Sequence, residues 1–293
     1  MDAGSDIREF LTSRRAKITP EQAGLPAYGT NRRVKGLRRG EVAMLAGISV
    51  EYYTRFERGN ASGASEDVIE GVARALQLDE AERAHLFDLV RAANATSRTT
   101  RRRPTQERVR PVVQRILDSM AVPAYVRNGR LDLLAANPLG RALYAPVFED
   151  PNGTANMARF IFLSTGAADF FQDWETIAND AVAILRAEAG RDPFDKTLSN
   201  LVGELSTRSD EFRVRWAAHN VKLHRTGAKV LHHPVVGDLN LDYEALELSG
   251  DSGQRILVYS AEPGSPSQEA LDLLASWATA PKAQRADETA DER

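Results

Sequence analysis

Apolar residues recur at helical spacing through the first third of the chain, and several of these runs begin at a residue suited to an N-cap. Ser49 and Ser65 each precede such a run, and Asp79 can form a capping box with Glu82. The pattern predicts five short helices, at about residues 6–17, 38–46, 49–58, 65–77 and 79–93.

Two stretches lack an apolar face. Thr19 and Gln22 give a helix-start signature, but the following residues 23–37 are rich in Gly and Arg and predict a loop. Residues 94–108 are polar and basic and contain a proline, which is typical of a linker.

From residue 109 the pattern changes. Val113 and Leu117 lie on one face of a predicted helix, and Asn128-Gly129 stands between two apolar runs, which is a strong hairpin signal. Helices are predicted at 138–145, 155–163, 173–190, 194–206, 209–219 and 266–278. Strands are predicted at 229–236, 239–248 and 255–262. This order predicts an α+β domain: an antiparallel sheet of about five strands, with helices inserted after the second strand and packed on one face.

The length of 293 residues fits about two domains. We expect a helical domain over residues 1–95, a basic linker over 96–108, a second domain over 109–280 and a disordered tail over 281–293. Residues 1–110 hold 20 Lys and Arg against 15 Asp and Glu, whereas the remainder hold 18 against 26. A basic N-terminal part and an acidic C-terminal part fit a DNA-contacting domain joined to a domain that avoids DNA.

Composition excludes several classes of site. The absence of cysteine excludes disulfides and thiolate chemistry and fits a reducing cytoplasm. No run approaches the roughly 18–20 apolar residues of a membrane span, and nothing marks export. The five histidines show no metal-binding spacing, and no GxSxG, P-loop or dinucleotide motif occurs, so we expect neither a metal site nor an enzyme.

Residues 39–59 have the features of a helix-turn-helix. Ala43 is small enough for a close helix crossing, Gly47 suits the left-handed turn, and Gly59 suits the end of the second helix. Residues on the buried side of the second helix include Tyr53 and Phe56. Its exposed face carries Val50, Glu51, Tyr52, Arg55 and Arg58.

Such a face can enter the major groove of double-stranded DNA. Arg55 can pair with guanine, Glu51 can accept from cytosine N4, and Val50 can pack on a thymine methyl group. Phosphate contacts are predicted for Arg38, Arg39 and Arg58. The alternative is a helical bundle with solvated arginines, but the glycine, the cap and the exposed side chains together favour DNA binding.

Residues 6–93 resemble the phage-repressor-type (Xre) helix-turn-helix family. The resemblance lies in GLRRGEVAMLAGISVEYYTRFERG and SEDVIEGVARALQLDEAERAHLFDL. It implies an all-α five-helix domain with Arg39 at a phosphate, and with Ser49, Val50, Glu51, Tyr52 and Arg55 facing bases. One departure is Ala64, where relatives usually have proline before the serine.

The second domain offers an apolar interior. Leu239, Leu241 and Tyr243 alternate with polar residues along a predicted strand, so that one face is buried. Trp174, Ile177 and Ala181 share one face of the predicted helix 173–190, and further aromatic bulk comes from Tyr125, Phe162 and Trp216. Helices over such a sheet can enclose a ligand cavity, although aromatic residues at helical spacing are more often ordinary core.

Residues 109–278 resemble the ligand-binding domain of MmyB-like regulators. Among the matching segments are VPAYVRNGRLDLLAANPLGRALYAP, FQDWETIANDAVAILRAEAGRDP and HHPVVGDLNLDYEALEL. The resemblance implies a PAS-like fold and a fatty-acid-like ligand. A carboxylate needs a cation or donor, for which Arg159, Arg186 and His219 are the candidates. The alternative for each is an ordinary surface arginine or core histidine.

The sequence therefore predicts a cytoplasmic transcription regulator that binds a near-palindromic operator as a homodimer and senses a small apolar ligand, with no other cofactor. The alternative is a regulator that binds DNA constitutively and whose second domain docks a protein partner.

Overall fold

The computed structural model describes residues 3–25, 34–94, 108–149, 155–218, 226–250 and 253–279. The predicted tail and all but the last residue of the predicted linker lie outside these ranges, so the domain division at 96–108 stays a prediction. The helices are α1 Ala3–Lys17, α2 Arg39–Ala46, α3 Val50–Glu57, α4 Glu66–Ala75, α5 Glu80–Asn94, α6 Pro111–Ser119, α7 Pro138–Leu143, α8 Ala145–Phe148, α9 Met157–Leu163, α10 Ala167–Phe170, α11 Trp174–Arg191, α12 Lys196–Arg208, α13 Asp210–Ala217 and α14 Pro266–Thr279. The strands are β1 Ala124–Arg127, β2 Leu133–Ala136, β3 Thr226–His233, β4 Gly237–Glu247 and β5 Arg255–Ser260.

Contacts divide the chain into two units. The helical unit comprises Met1–Arg103 and Val182–Leu223, and the sheet unit comprises Pro104–Ala181 and His224–Arg293. The core of α1–α5 is built from buried apolar residues: Ile7, Phe10, Leu11, Leu37, Val42, Ala43, Tyr53, Phe56, Ala61, Ile69, Val72, Ala75, Leu76, Leu86, Leu89 and Val90. The prediction of an all-α five-helix domain is confirmed.

The predicted N-caps form as the sequence indicates. Ser49 Oγ accepts from the Tyr52 amide at 3.1 Å. Asp79 and Glu82 exchange two hydrogen bonds, each between one residue's backbone N–H and the other's carboxylate, at 3.2 and 2.8 Å. These bonds satisfy amides that the first turn of a helix leaves without a partner. They therefore fix where α3 and α5 begin.

The helix-start signature at Thr19 gives only a turn. Thr19 and Gln22 exchange the two hydrogen bonds of a capping box, at 2.9 and 3.3 Å. Gly24 then adopts φ +72°, and the backbone does not continue as a helix. A left-handed residue this close to the cap ends the helical dihedrals after a single turn.

The sheet has the strand order β2-β1-β5-β4-β3, with antiparallel pairing throughout. The prediction of a five-stranded antiparallel sheet with helices after the second strand is confirmed. The β1–β2 hairpin is also confirmed, but its loop is longer than two residues. Asn128 Oδ1 accepts from the amides of Arg130 and Asp132, both at 3.0 Å, and the left-handed residue is Leu131.

Helices lie on both faces of the sheet, so the prediction of helices on one face is wrong for β1, β2 and β5, whose second face α6 covers. Along β4 the alternate side chains Asn240, Asp242 and Glu244 are exposed, so that part of the sheet is covered on one face only. Val113 and Leu117 of α6 pack on Val126 and Ile256. Tyr125 is one position from Val126 on β1, and Tyr259 is three positions from Ile256 on β5, so both tyrosines point to the other face. There they contact Tyr144, which lies among the helices that follow β2. Because successive side chains alternate between faces, the two clusters lie on opposite sides.

The turn between β3 and β4 begins earlier than the sequence predicts. Residues 234–236 form the turn rather than the end of the strand, because Pro234 has no N–H to donate to the ladder. The adjacent histidines point to opposite faces: His232 is exposed, whereas His233 is buried and its Nε2 lies 3.1 Å from the Ala142 carbonyl oxygen.

Candidate nucleic-acid interface and ligand-binding residues

The turn between α2 and α3 depends on Gly47. Its φ of +70° is left-handed, which costs a residue with a Cβ about 1–2 kcal/mol. The amide of Ile48 then donates to the Ala43 carbonyl at 3.0 Å, which closes the end of α2. Ala43 itself is fully buried, as a close helix crossing requires. These features confirm the predicted geometry of the helix-turn-helix.

Helix α3 ends at a second left-handed glycine. Gly59 has φ +93°, and a Cβ added there would lie 2.2 Å from the Gly4 carbonyl oxygen. The first turn of α1 therefore packs directly against the end of α3, with no room for a side chain at residue 59. The amide of Asn60 donates to the Arg55 carbonyl at 3.2 Å, which is the long bond of this C-terminal cap.

The outward face of α3 lines an open concavity of about 480 Å³. Val50 is 45% exposed, and Glu51, Arg55 and Arg58 are exposed as well. The concavity is lined by Val50, Glu51, Thr54, Arg55, Arg58 and Asn60. Sequence reasoning missed Thr54 and Asn60, although Thr54 follows Val50 by four residues and so must share its helix face.

Arg55 is held against a neighbouring ring. Its guanidinium carbon lies 5.1 Å from the ring centroid of Tyr52, within the range of a cation–π contact. Tyr52 is half-buried and packs against the core of the helical unit. The contact orders a side chain that has many rotamers in solution.

A buried carboxylate joins three helices behind this face. Glu57 of α3 is 1% exposed, and it accepts from Arg15 Nε at 2.5 Å, from Arg39 Nε and from the Tyr53 hydroxyl at 3.3 Å. Arg39 remains 44% exposed, because it binds Glu57 from the surface. Its position at the start of α2 is therefore set by an ion pair.

Arg38 precedes α2. Its amide donates to Glu41 Oε2 at 2.6 Å, and the residue is exposed. The first turn of a helix carries unpaired amides and partial positive charge. Arg38 and Arg39 thus stand where an anion such as a DNA phosphate is favoured.

The predicted ligand residues fall into separate groups. Tyr125 and Tyr243 lie on the buried face of the sheet, each with its ring about 6 Å from that of Tyr259. A second group lies around α9 and the start of α11. Trp174 donates its indole N–H to the Ile161 carbonyl at 3.0 Å and packs edge-on to Phe162. The other members of this group are half-buried Arg159, half-buried Ile177 and buried Ala181.

Arg186 and Trp216 belong to the helical unit. The Arg186 guanidinium donates to the Trp216 carbonyl and lies 4.1 Å from the Trp216 ring centroid. Burial lowers the pKa of Arg186 to about 10, against the attraction of Asp6 and Glu9. His219 lies outside the described residues.

The sheet unit contains buried polar residues, and the half-buried Lys229, that sequence reasoning missed. Tyr144 donates to the Tyr259 hydroxyl at 2.8 Å, and Lys229 Nζ lies 3.4 Å from the same oxygen. Arg127, two residues after Tyr125, is 4% exposed. Strand periodicity contains the signal for Lys229, because it precedes buried Leu231 by two residues and so faces inward.

Comparison with known families agrees with both halves of this description. A family model of the MmyB-like transcription regulator ligand binding domain matches residues 109–274, which is more than half of the chain. The chain belongs to the MmyB-like transcription regulators. A helix-turn-helix domain model matches residues 12–86 of this MmyB-like regulator. No curated protein matches the chain.

The two matches divide the MmyB-like regulator by role. The helix-turn-helix match contains α2 and α3 with their connecting turn, and the ligand-binding match contains all five strands. DNA binding and ligand binding are therefore properties of separate segments of the chain. Within the described ranges, no helix is long and apolar enough to cross a membrane.

Proposed function

We propose that the protein is a ligand-responsive transcription regulator of the cytoplasm that binds a near-palindromic operator as a homodimer. The observation that carries the proposal is the exposed face of α3, which is capped at both ends and opens onto a concavity lined by Arg55 and Arg58. Two such helices about one DNA turn apart can read two half-sites.

In this proposal Arg55 reads guanine, because its planar donors match O6 and N7, and Glu51 and Val50 contact neighbouring bases. Ser49 and Tyr52 complete the base-facing surface. Arg38, Arg39 and Arg58 neutralise phosphates and fix the position of the protein on the duplex.

The ligand is a small apolar molecule, fatty-acid-like in character, which binds the sheet unit. Support comes from the match to a ligand-binding domain and from the aromatic residues that line the buried sheet face. Ligand changes operator affinity only to the extent that it binds the two states of the regulator unequally.

The DNA-binding half is tested by selecting an operator from a random duplex library and measuring affinity by fluorescence anisotropy. Arg55→Ala should cost about 1–3 kcal/mol and relax base preference at one position. Arg39→Ala should weaken all sequences alike and reduce the salt slope by about one. Arg83→Ala, in an exposed pair with Glu70, is the matched control. Equal loss of specificity from Arg55→Ala and Arg39→Ala would contradict these roles.

The sensory half is tested by native mass spectrometry of the purified full chain, followed by denaturing extraction. A co-purifying acyl compound on a dimeric species supports the proposal. A ligand-free mass that added fatty acids do not change, with operator affinity also unchanged, favours instead a constitutive regulator whose second domain docks a protein.

A further inference from the structure

Helix α11 is shared between the two units. Its first half, through Ala181, belongs to the sheet unit, and its second half, from Val182, belongs to the helical unit together with α12 and α13. All three helices lie within the residues that the ligand-binding family model matches. Part of the ligand-binding segment therefore belongs to the same unit as the helix-turn-helix.

The end of α11 contacts α5 at Gly190. A Cβ added to Gly190 would lie 2.6 Å from His85 Cε1 and 3.6 Å from Leu89 Cδ2, both on α5. The His85 ring is buried and packs edge-on against the buried ring of Phe10 on α1, with the centroids 5.1 Å apart. Moving His85 aside would therefore disturb the packing of α1 as well. Glycine is a poor helix former, but at this position it allows α11 to approach α5 and α1 closely.

One turn earlier, Arg186 connects α11 to α13 and to α1. It is 5% exposed, its guanidinium donates to the Trp216 carbonyl oxygen, and it lies 4.1 Å from the centroid of the Trp216 ring. Asp6 and Glu9, which share a face of α1, are the acidic groups that attract it. A buried cation is stable only near an anion. The charge of Arg186 therefore favours the position of α1 in which these carboxylates face α11.

Helix α1 in turn holds α3 at two places. The Gly4 carbonyl oxygen lies where a Cβ at Gly59 would be, at the end of α3, and Arg15 binds the buried Glu57 at 2.5 Å. The residues of α1 that meet Gly59 and that attract Arg186 all precede residue 12, where the match to the helix-turn-helix model begins. The first half of α1 thus lies outside the matched domain and links α3 to α11.

We propose that the second half of α11 positions the helix-turn-helix for DNA: Arg186 and the contact at Gly190 hold α1 and α5, and α1 holds α3 in the orientation that enters the major groove. This inference rests on the proposed DNA-binding function, and it assigns Arg186 to the positioning of α3 rather than to a ligand carboxylate. Helix α11 begins at the candidate ligand residues Trp174, Ile177 and Ala181. A rigid helix that belongs to both units also gives a bound ligand a route to α3.

The test compares binding of the selected operator and of a non-operator duplex to the full chain by fluorescence anisotropy, well below the unfolding midpoint of each variant. Gly190→Ala should weaken operator binding by about two- to thirty-fold, the range of effects transmitted through packed elements. Binding to the non-operator duplex, which depends on phosphate contacts, should change less. Gly203→Ala is the matched control, since Gly203 lies in α12 of the same unit and a Cβ there meets nothing within 4 Å. The control should bind both duplexes like the parent.

Two mutant cycles assign the effect to these contacts. His85→Ala removes the ring that the new Cβ meets, so Gly190→Ala should cost less operator affinity in that background than alone. Arg186→Met should also weaken operator binding. Asp6→Asn with Glu9→Gln should add little to Arg186→Met, because the attraction between α1 and α11 is already lost. A role of Arg186 in holding a ligand carboxylate predicts additive losses instead.

Each outcome decides the proposal. Parent-like operator affinity in Gly190→Ala and Arg186→Met would overturn the positioning role and leave the DNA-binding function standing. Equal losses on operator and non-operator DNA would also overturn it, because they indicate general destabilisation. Additive losses in the cycle with Asp6 and Glu9 would overturn the assignment of Arg186. A parent protein that selects no operator would reject the proposed function, and the positioning role with it.

Discussion

Replacing Glu57 by Gln removes the negative charge at the centre of the helix-turn-helix while keeping the shape of the side chain. The carboxylate is 1% exposed and binds two arginines and a tyrosine hydroxyl. The Gln amide presents N–H groups where the arginines also donate. Breaking a buried ion pair costs about 3–5 kcal/mol. We assign most of this loss to Arg15, whose side chain is 14% exposed, and little to the more exposed Arg39.

Chemical and thermal unfolding, followed by circular dichroism at 222 nm, measures this loss. At roughly 2–4 °C per kcal/mol for a protein of this size, the unfolding midpoint should fall by about 10 °C. Glu70→Gln is the matched control, since Glu70 pairs with Arg83 at 2.7 Å but both side chains are about 35–49% exposed. That pair should contribute less than about 1 kcal/mol. If both variants lose the same stability, burial does not set the strength of the Glu57 pair.

Three further predictions concern other parts of the structure. In urea unfolding, Gly59→Ala should destabilise the protein by about 3 kcal/mol or more, because its Cβ would meet the Gly4 carbonyl. A Cβ at Gly47 has open space, so Gly47→Ala should cost only about 1–2 kcal/mol. Equal losses would show that the Gly4 contact is unimportant. Below pH 8, Lys229→Met should be more stable than the parent by up to about 3 kcal/mol, because burial lowers the pKa of Lys229 to about 8. The difference should shrink from pH 8 towards 10, since the folded lysine then loses its proton while the unfolded lysine keeps its own. A difference that stays constant in urea unfolding across those pH values would contradict the lowered pKa. By the same assay, Asn137→Ala should lower the free energy of unfolding by about 2–4 kcal/mol, since this buried side chain accepts from two amides and donates to two carbonyls. A loss under about 1 kcal/mol would mean that water replaces the side chain.

Local signals carried most of the prediction for the helix-turn-helix. Ser49 caps α3 through an amide three residues away, and Gly47 and Gly59 are placed by the dihedrals of their own turns. Such interactions lie within a few residues and can be inferred from sequence. Glu57 and Arg15 are 42 residues apart, so no local sequence pattern could predict their ion pair.

The same distinction explains the ligand-binding half. The β1–β2 hairpin and the β3–β4–β5 hairpins followed from turns and alternation, because these strands are close in sequence. The polar cluster of the sheet face did not, since Tyr144 and Tyr259 are separated by 115 residues and meet only through the β1–β5 pairing. Arg186 and Trp216 were predicted for the ligand from their neighbours in sequence, and the structure places them in the helical unit.

Strand β3 is an outer strand of the sheet, and its middle is already occupied. Phe171 forms a bridge with Leu231, and the Gln172 amide donates to the Val230 carbonyl at 3.2 Å. The Gln172 side chain also donates to Asp238, which His232 contacts at 2.6 Å. An open edge invites another polypeptide to add as a strand, which leads to domain swapping or aggregation. Here Phe171 and Gln172, which precede α11, already occupy the centre of that edge. A second copy of the chain therefore cannot add a strand to the centre of β3.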